Sequence, residues 1–323
     1  MKELMKNILV TGAFGQIGSE LVPALQKTSG VEKVVALAHS NAPSNFTGIM
    51  EKGDVTDKAT LERLIKTHSI DTVFHLVSLL SATGEQQPHK AWDVNMNSLK
   101  HVLDLAVDHH LRVFWPSSIA AFGPTTPRVN TPQQTILEPT TMYGVTKVAG
   151  ELLCQYYFKK FGVDVRSVRY PGLISWKAEP GGGTTDYAVA IYYEVLKNGS
   201  YECFVKADTI LPMMYMDDAV KGTIQLMLAD PKKLTIRTSY NLAAISFRAD
   251  ELAANIAKYL PLSVAYAPDH RQNIADSWPQ SIDDSQARTD WGWQHAIDLD
   301  SMTRIMLANL APKLGVNVPV TLE

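Results

Sequence analysis

Short β-branched runs alternate with longer amphipathic runs through the first half of this chain of 323 residues. The predicted strands, each with the helix that follows it, are "NILVTG" and "QIGSELVPALQK", "KVVALA" and "ATLERLIKTH", "DTVFHLVS" and "NSLKHVLDLAVDHH", "RVFWPSS" and "VTKVAGELLCQYYFKKF", and a last strand "DVRSVRYPG". Strands that alternate with helices across short connections build right-handed βαβ units around a parallel sheet. The pattern therefore predicts an α/β fold.

The sequence changes character after Tyr170 and becomes irregular and rich in proline and glycine, as in "AEPGGGTTDY". Further on, "LPMMYMDDAVKGTIQLMLA" and "FRADELAANIAKYLP" contain helical patterns, and "SYNLA" has the composition of a strand. No internal repeat or low-complexity tract interrupts the chain. We expect the second half to form a smaller domain that is partly interleaved with the first.

Charge and cysteine content narrow the class of protein. The net charge is −3 and the isoelectric point is about 6.3, which favours neither a nucleic-acid nor a membrane-surface partner. Cys154 and Cys203 lie far apart, and no histidine or cysteine cluster has the spacing of metal ligands. The first residues lack the apolar core of a signal peptide, and no later run of about 18 apolar residues follows. We expect a soluble cytoplasmic protein without a metal ion.

Three glycines, Gly12, Gly15 and Gly18, follow the first predicted strand and open the first predicted helix. Small residues at this spacing let the backbone and the positive end of the helix approach a pyrophosphate. A tight turn without a ligand is the alternative explanation. The flanking strand and helix favour a dinucleotide site, in which Gln16 and Ile17 lie within the same turn.

The second predicted strand ends at Ala38, where an NAD site usually presents an acidic residue to the adenosine ribose. No arginine or lysine follows immediately to bind a 2′-phosphate, so NAD is favoured, with His39, Ser40 or Asn41 as candidate ribose partners. If the missing acid has relaxed specificity, activity with NADP should be detectable. Asp54 ends a third strand-like run and either accepts from the adenine amino group or stabilises a turn.

Tyr143 and Lys147 lie four residues apart in a predicted helix, so both side chains share one face. An ammonium beside a phenol favours phenolate, which suits a general base near neutral pH. Ser117 and Ser118 follow an apolar strand, at the sheet edge where ligands of open α/β sheets bind. The alternatives are a tyrosine packed on a lysine stem at an exposed helix face, and a polar strand end.

Four segments, "TGAFGQIG", "SSIAAFG", "YGVTK" and "RYPGLI", occur in this order over about 170 residues. Together they resemble the extended short-chain dehydrogenase/reductase family, the group that includes UDP-galactose 4-epimerase. Within that family, "LVSLLSATGE", "WPSSIAAFGP", "GGGTTDYAV", "LPMMYMDDA" and "ADSWPQSIDDSQARTDWGW" resemble the short-chain type of L-threonine 3-dehydrogenase.

The resemblance implies a Rossmann doubly wound parallel sheet with a smaller substrate domain, NAD as cofactor, a small amino-acid substrate and commonly a homodimer. We expect residues 1–174 and about 209–245 to form the dinucleotide-binding domain, and about 175–208 and 246–323 the substrate domain. The dimer would be built from two long helices per subunit, here "NSLKHVLDLAVDHH" and "VTKVAGELLCQYYFKKF".

The resemblance also implies roles for particular residues. Ser118 and Tyr143 would handle the proton, Lys147 would tune Tyr143 and bind ribose, and Asn95 would support the site. The reaction would convert the L-threonine side-chain hydroxyl to the ketone of 2-amino-3-oxobutanoate. The implied cofactor-binding residues are Gly12, Gly15, Gln16, Ile17, Gly18, Asp54, Val55, Leu76, Tyr143, Lys147 and Tyr170. The implied substrate-binding residues are Ser81, Ser117, Ser118, Tyr143, Thr185, Asp186 and Trp278.

Structural explanations remain open for several of these residues. "PGGGTT" is alternatively a flexible loop, Asp186 a helix cap and Trp278 a core residue. In "MYMDDA" we expect a helix start capped by Asp217 or Asp218, without a chemical role.

Two further functions compete with the dehydrogenase. A nucleotide-sugar epimerase or dehydratase of the same fold needs a second domain that clamps a diphosphate, usually through arginines, yet Arg237 is the only arginine between Ser175 and Tyr240. A non-catalytic dinucleotide sensor would not need Ser118, Tyr143 and Lys147 together. The scarcity of arginines favours a small zwitterionic substrate, and the presence of all three residues favours an enzyme.

Overall fold

The computed structural model describes residues 5–39, 43, 44, 46–316 and 318. Its strands are β1 (Asn7–Thr11), β2 (Lys33–Ala38), β3 (Ile49–Lys52), β4 (Thr72–His75), β5 (Arg112–Ser118), β6 (Val165–Tyr170), β7 (Gly172–Ile174), β8 (Ser200–Cys203), β9 (Ile210–Tyr215), β10 (Tyr240–Asn241), β11 (Ile245–Arg248) and β12 (Ser263–Tyr266). Its helices are α1 (Gly18–Gln26), α2 (Lys58–His68), α3 (Ser81–Gln86), α4 (Pro88–Trp92), α5 (Ser98–His109), α6 (Met142–Phe161), α7 (Tyr187–Asn198), α8 (Met216–Leu228), α9 (Ala249–Ile256), α10 (Arg271–Asp276), α11 (Ser285–Trp291) and α12 (Leu299–Lys313).

Within the described residues, the largest sheet has seven strands in the order β10-β6-β5-β4-β1-β2-β3, and every neighbouring pair is parallel. Alternate residues of each central strand enter hydrophobic clusters on opposite faces. In β1, Leu9 packs with α2 and α5 side chains, whereas Val10 packs with α1 and α8 side chains. Apolar runs buried on both faces are typical of a parallel sheet covered by helices. The structure confirms the predicted α/β fold with a Rossmann sheet.

The strand order reverses beside β1. After β1 the chain crosses to β2 on one side, and after β3 it returns to place β4 on the other side. The connections that follow β1 and β4 therefore leave in opposite directions and open a crevice at the carboxyl ends of these strands. This crevice holds the candidate site.

Helix α6 has well-defined ends and a close packing contact. The Thr141 hydroxyl accepts from the Gly144 amide at 3.1 Å, and the helix terminates at Gly162, whose φ is +72°. A β-carbon at Gly150 would lie 2.4 Å from the Trp115 ring, so glycine brings α6 close to β5. The contact fixes the helix that carries Tyr143 and Lys147 against the central strand.

The second half adds a separate hydrophobic cluster to the molecule. Side chains of α7, α9 and α12 pack together, and β7, β9 and β11 form a small mixed sheet beside them. Between α8 and β11 the chain returns to the large sheet, where β10 pairs with β6 at the edge. We propose that the chain divides into the two interleaved domains expected from the sequence.

The expected cap of α8 is wrong. The residue before the helix is Tyr215, without a side-chain cap, and the Asp218 carboxylate accepts instead from the amides of Ala296 and Ile297 at 3.0 Å. These amides belong to the segment between α11 and α12, which is remote in sequence. Asp218 thus anchors the C-terminal segment onto α8.

Among the described residues, no helix has the length and apolarity needed to cross a bilayer. Over the same part of the chain, no three or more side chains of histidine, cysteine, aspartate or glutamate gather in a metal-binding group.

Candidate active site

The glycine-rich turn connects β1 to α1 and can admit a pyrophosphate. Gly12 has φ +67°, and the Gly15 amide donates to the Gly12 carbonyl at 3.0 Å. A β-carbon at Gly18 would lie 2.3 Å from the Gly12 carbonyl oxygen, so this glycine is required for packing within the turn. The amides of residues 19–21 already donate to backbone carbonyls, so a phosphate would bind at the turn itself and at the Gly18 amide, at the positive end of α1. The turn therefore fits the dinucleotide expected from the sequence.

A cleft of about 480 Å³ continues from this turn past the end of β2. The predicted residues among its lining are Gly12, Gly15, Asp54 and Val55, and the lining also includes Ala38 and His39. Ser40 and Asn41, the other candidate ribose partners, lie outside the described residues.

Asp54 stabilises its own turn. Its Oδ1 accepts from the amide of Thr56 at 2.9 Å and from the hydroxyl of the same residue at 2.8 Å. These hydrogen bonds lower the pKa of the Asp54 carboxyl. Asp54 also lines the first cleft, so the turn and the adenine explanations are compatible.

A second cleft, of about 150 Å³, lies at the ends of β4 and β5. It brings together residues from the glycine-rich turn before α1, from α6 and from the second half of the chain. The predicted residues along its wall are Gln16, Ile17, Leu76, Ser81, Ser117, Ser118, Tyr143, Lys147, Tyr170, Thr185, Asp186 and Trp278. Gly18 lines neither cleft because it packs inside the glycine turn.

Lys147 is buried at the base of this second cleft, with 3% of its surface exposed. Its Nζ donates to the Pro116 carbonyl at 2.7 Å and lies 4.6 Å from the Trp115 ring centroid and 5.2 Å from the Tyr143 ring centroid. Burial lowers the pKa of Lys147 to about 7, and the negative charge of Glu151 one turn further along α6 acts in the opposite direction.

The pKa of Tyr143 shifts in the direction opposite to the sequence expectation. Burial raises the pKa of Tyr143 to about 12, and the Ser118 hydroxyl offsets part of this increase. The charge of Lys147 alone would favour the phenolate, but the fold also removes water from around the phenol and so disfavours it. The Lys147 ammonium is directed to the Pro116 carbonyl.

The two serines after β5 make different contacts. The Ser118 oxygen accepts from the Ala120 amide at 3.2 Å at the cleft wall. The Ser117 hydroxyl donates to the Glu151 carboxylate at 2.6 Å, and this carboxylate also binds Arg169 at 2.7 Å. Ser117 therefore lines the cleft with its hydroxyl already engaged by a buried ion pair.

Asn95 supports the loop after β4 from a short π-helical turn, Asp93–Asn97. Its amide oxygen accepts from the Leu79 backbone amide at 2.7 Å. Its amide nitrogen donates to the Leu79 carbonyl and to the Thr146 hydroxyl, both at 3.1 Å. Asn95 thus joins the loop that carries Ser81 to helix α6.

Asp186 organises the glycine-rich loop. Its Oδ2 accepts from the amide of Gly181 at 2.7 Å and from that of Gly183 at 2.8 Å. Thr185 and Trp278 border the same cleft, and Trp278 is buried in the hydrophobic cluster of the second half. The loop is therefore more constrained than three glycines alone would make it.

Several lining residues were missed in the sequence. Ser78 and Leu80 flank predicted positions in "LVSLLSATGE", and Thr184 precedes Thr185. Lys90 lines the first cleft from α4, a short helix that the sequence pattern did not indicate. Proximity to a predicted residue was the available signal for Ser78 and Thr184, but Lys90 had none.

The model of the NAD-dependent epimerase/dehydratase family matches residues 8–243. The chain belongs to this family. Members of the NAD-dependent epimerase/dehydratase family are extended short-chain dehydrogenases/reductases, as the sequence motifs indicated, and the cofactor is NAD. The chain is accordingly an NAD-dependent enzyme of the oxidoreductase or epimerase type.

Relatives within this family are similar along nearly their full lengths. An uncharacterized epimerase/dehydratase of Staphylococcus saprophyticus is 52% identical over 310 residues, which cover 94% of this chain and 96% of that protein. The holo form of a GalE-like L-threonine dehydrogenase from Cupriavidus necator is 51% identical, with a TM-score of 0.92 and coverage of 94% of this chain and 99% of that one. A monomeric L-threonine 3-dehydrogenase from a metagenome, in its apo form, is 49% identical, with a TM-score of 0.92 and coverage of 95% and 99%.

Proposed function

We propose that the protein oxidises the side-chain hydroxyl of L-threonine with NAD. The observation that carries this proposal is the second cleft, in which Tyr143, Lys147 and Ser118 face Thr185 and Asp186 across a small volume. One side of the cleft suits an alcohol, and the other suits the charged groups of an amino acid. The similarity to solved L-threonine dehydrogenases supports the same substrate.

Tyr143 acts in this proposal as the base for the substrate hydroxyl. Its phenolate takes the O–H proton while the C–H hydrogen leaves the same carbon with its electron pair, so a carbonyl forms and 2-amino-3-oxobutanoate results. NAD, when bound, supplies the hydride acceptor. Because burial raises the pKa of Tyr143 to about 12, the base depends on the nearby charge of Lys147. Ser118 holds the substrate oxygen by a hydrogen bond.

The charged groups of the substrate contact the loop before α7 in this proposal. Asp186 is the one acidic side chain among the described residues that line the second cleft, and it pairs with the substrate ammonium. Ser81 and Thr185 bind the substrate carboxylate, and Trp278 closes the apolar side around the methyl group.

A nucleotide-sugar substrate fits the second cleft less well. The volume of about 150 Å³ is small, compared with roughly 300–1,000 Å³ for sites of drug-sized ligands. Lys147 is the one cationic side chain among the described residues lining it, and its Nζ is already bonded to the Pro116 carbonyl. A diphosphate would therefore lack the cations that it needs.

The first experiment compares wild-type protein with Tyr143→Phe and with Tyr266→Phe, a control tyrosine of β12 that lines neither cleft. We expect NADH formation from NAD and L-threonine by the wild type and by the control. Tyr143→Phe should lose at least about a hundredfold in kcat, the usual contribution of a general base, while it still binds NADH. Substantial turnover by Tyr143→Phe would contradict the role of Tyr143 as the base. Turnover of a nucleotide sugar but of no amino alcohol would contradict L-threonine as the substrate.

We also propose a homodimer that forms through the outer face of α6. Val145, Leu152 and Tyr156 are 41%, 58% and 53% exposed, and their spacing of seven and four residues places them on one side of the helix. Trp92 of the adjacent helix α4 is also exposed. A second copy of the chain would bury this apolar strip, which we call the α6 strip.

A further inference from the structure

The adenosine end of the first cleft lacks the group that normally rejects a phosphorylated cofactor. NAD-selective sites of this fold place a carboxylate at the end of the second strand, where it binds the ribose 2′-hydroxyl and repels a 2′-phosphate. Here β2 ends at Ala38, which lines the cleft with a methyl group. The side chain offers neither a hydrogen-bond acceptor for the hydroxyl nor a negative charge against the phosphate.

The nearest strand partner of Ala38 is not acidic either. In the parallel register of β2 and β3, Ala38 lies opposite Lys52, and the Gly53 amide donates to the Ala38 carbonyl at 3.1 Å. Neither Lys52, at the end of β3, nor Gly53, which follows it, therefore supplies the missing carboxylate.

One carboxylate remains in the lining of the first cleft, that of Asp54. Two hydrogen bonds from Thr56 hold one of its oxygens. His39 lies close enough for its positive charge, when protonated, to lower the pKa of Asp54. Within the described lining, the carboxylate is therefore accompanied by two basic side chains, His39 and Lys90, and both are exposed.

We propose that this protein binds the 2′-phosphorylated dinucleotide NADP(H) as well as NAD(H), with His39 as the partner of the 2′-phosphate. His39 follows Ala38 directly, so it lies beside the position that the missing carboxylate would occupy. Lys90 of α4 adds positive charge to the lining of the same cleft. The inference rests on the family's cofactor and not on the identity of the substrate.

The test is equilibrium binding, measured by the nicotinamide fluorescence of NADH and of NADPH with the full-length protein. We expect the two dissociation constants of the wild type to agree within about tenfold. Ala38→Asp should weaken NADPH at least a hundredfold relative to NADH, whereas the neutral variant of the same shape, Ala38→Asn, should change that ratio only a few-fold. A wild-type preference for NADH above about a thousandfold, equivalent to about 4 kcal/mol, would overturn the inference.

A second pair of variants tests the assigned partner. His39→Ala should weaken NADPH about tenfold and leave NADH unchanged. The control His89→Ala changes an exposed histidine next to Lys90 that does not line the first cleft, and should alter neither constant. Equal weakening of both cofactors by His39→Ala would show that the residue contacts only the common adenosine and would remove the assignment.

The matched nucleotides 2′,5′-ADP and 3′,5′-ADP separate phosphate recognition from general anion binding. We expect 2′,5′-ADP to displace NADH at a concentration at least tenfold lower than 3′,5′-ADP, and equal displacement would contradict a 2′-phosphate site. These readings do not depend on catalysis. Tight binding of both cofactors without oxidation of L-threonine would contradict only the proposed function. Oxidation of L-threonine with NAD by a protein that does not bind NADPH would contradict only this inference.

Discussion

The protonated form of Lys147 destabilises the folded protein, because its ammonium is buried in the second cleft. Its Nζ is surrounded by the Trp115 ring, the Tyr143 ring and the Pro116 carbonyl, and burial lowers its pKa to about 7. In the unfolded chain a lysine titrates near 10.4. Between pH 7 and about 10.4 the unfolded chain therefore binds a proton at this lysine that the native state does not. Below pH 7 both states are protonated, and the folded protein bears the whole free-energy cost of the buried charge.

We expect Lys147→Met to be inactive and more stable. At pH 6.5 its free energy of unfolding should exceed that of the wild type by about 1–3 kcal/mol, after subtraction of the hydrogen bond to Pro116. The unfolded wild type binds more protons than the native state between pH 7 and about 10.4, so wild-type stability rises across that range and the difference shrinks. Urea unfolding at pH 6.5 and 9.5 measures it. Lys159→Met, at an exposed position of α6, should show no such pH dependence, and a destabilised Lys147→Met would contradict the argument.

Residue patterns predicted most of the residues that line the two clefts, but not the hydrogen bonds between their polar side chains. The spacing of Tyr143 and Lys147 is fixed by helix geometry, so the sequence contained it. The hydrogen bond from Ser117 to Glu151 joins residues 34 positions apart, and the direction of the Tyr143 pKa depends on burial by the surrounding fold. Tertiary packing decides both, and no local pattern reports it.

Helix α6 connects the cleft to a buried ion pair. Tyr143, Lys147 and Glu151 follow one another at four-residue spacing, and Glu151 accepts from Arg169 at 2.7 and 2.8 Å. Arg169 also donates to the Asn241 side chain at 3.0 Å. The pair therefore ties α6 to β6 and β10 behind the helix face that carries Tyr143 and Lys147.

Glu151→Gln should destabilise the protein by about 3–5 kcal/mol, because it leaves the Arg169 charge buried without its partner. Urea unfolding monitored by circular dichroism measures the change. Glu62→Gln removes an exposed partner of Lys66 on α2 and should leave the unfolding midpoint unchanged. Equal midpoints for the two variants would show that the buried pair contributes nothing specific.

The loop that carries Asp186 should change its amide protection with ligands. We expect hydrogen exchange at Gly181 and Gly183 to slow when cofactor and L-threonine are added together. Asp186→Ala should speed exchange at both amides without ligand, because it removes their acceptor, whereas Glu179→Ala in the same exposed segment should not. Identical protection with and without ligands would remove the idea that the loop closes.

The predicted helices were most accurate where one face of the helix is exposed. The helices α1, α2, α5 and α6 all followed recognisable patterns in the first half. Helix α7 did not, because eight of its twelve residues are buried and no polar stripe marks the period. The short strands β8 and β12 pair across a long separation and have too few residues to show an alternation.

We expect two copies of the protein to associate through the α6 strip. We expect the wild type to elute as a dimer at tens of micromolar by light scattering coupled to size-exclusion chromatography. Leu152→Glu should yield monomers, because it introduces a charge into the apolar contact. Ile136→Glu, at another exposed apolar position outside α6, should remain dimeric. A monomeric wild type would contradict the proposal and would match the metagenome relative.

The return of β10 to the large sheet has a consequence for biosynthesis. Strand β6 is complete when Tyr170 has been synthesised, but its outer edge is covered only when Tyr240 and Asn241 follow. At a translation rate of about 5–20 residues per second, this edge waits roughly 4–14 seconds on the ribosome. An unpaired strand edge is a template for pairing with another chain. The nascent protein is therefore most vulnerable to misassembly during this interval, and slower elongation through residues 171–239 would lengthen the period in which chaperones must shield it.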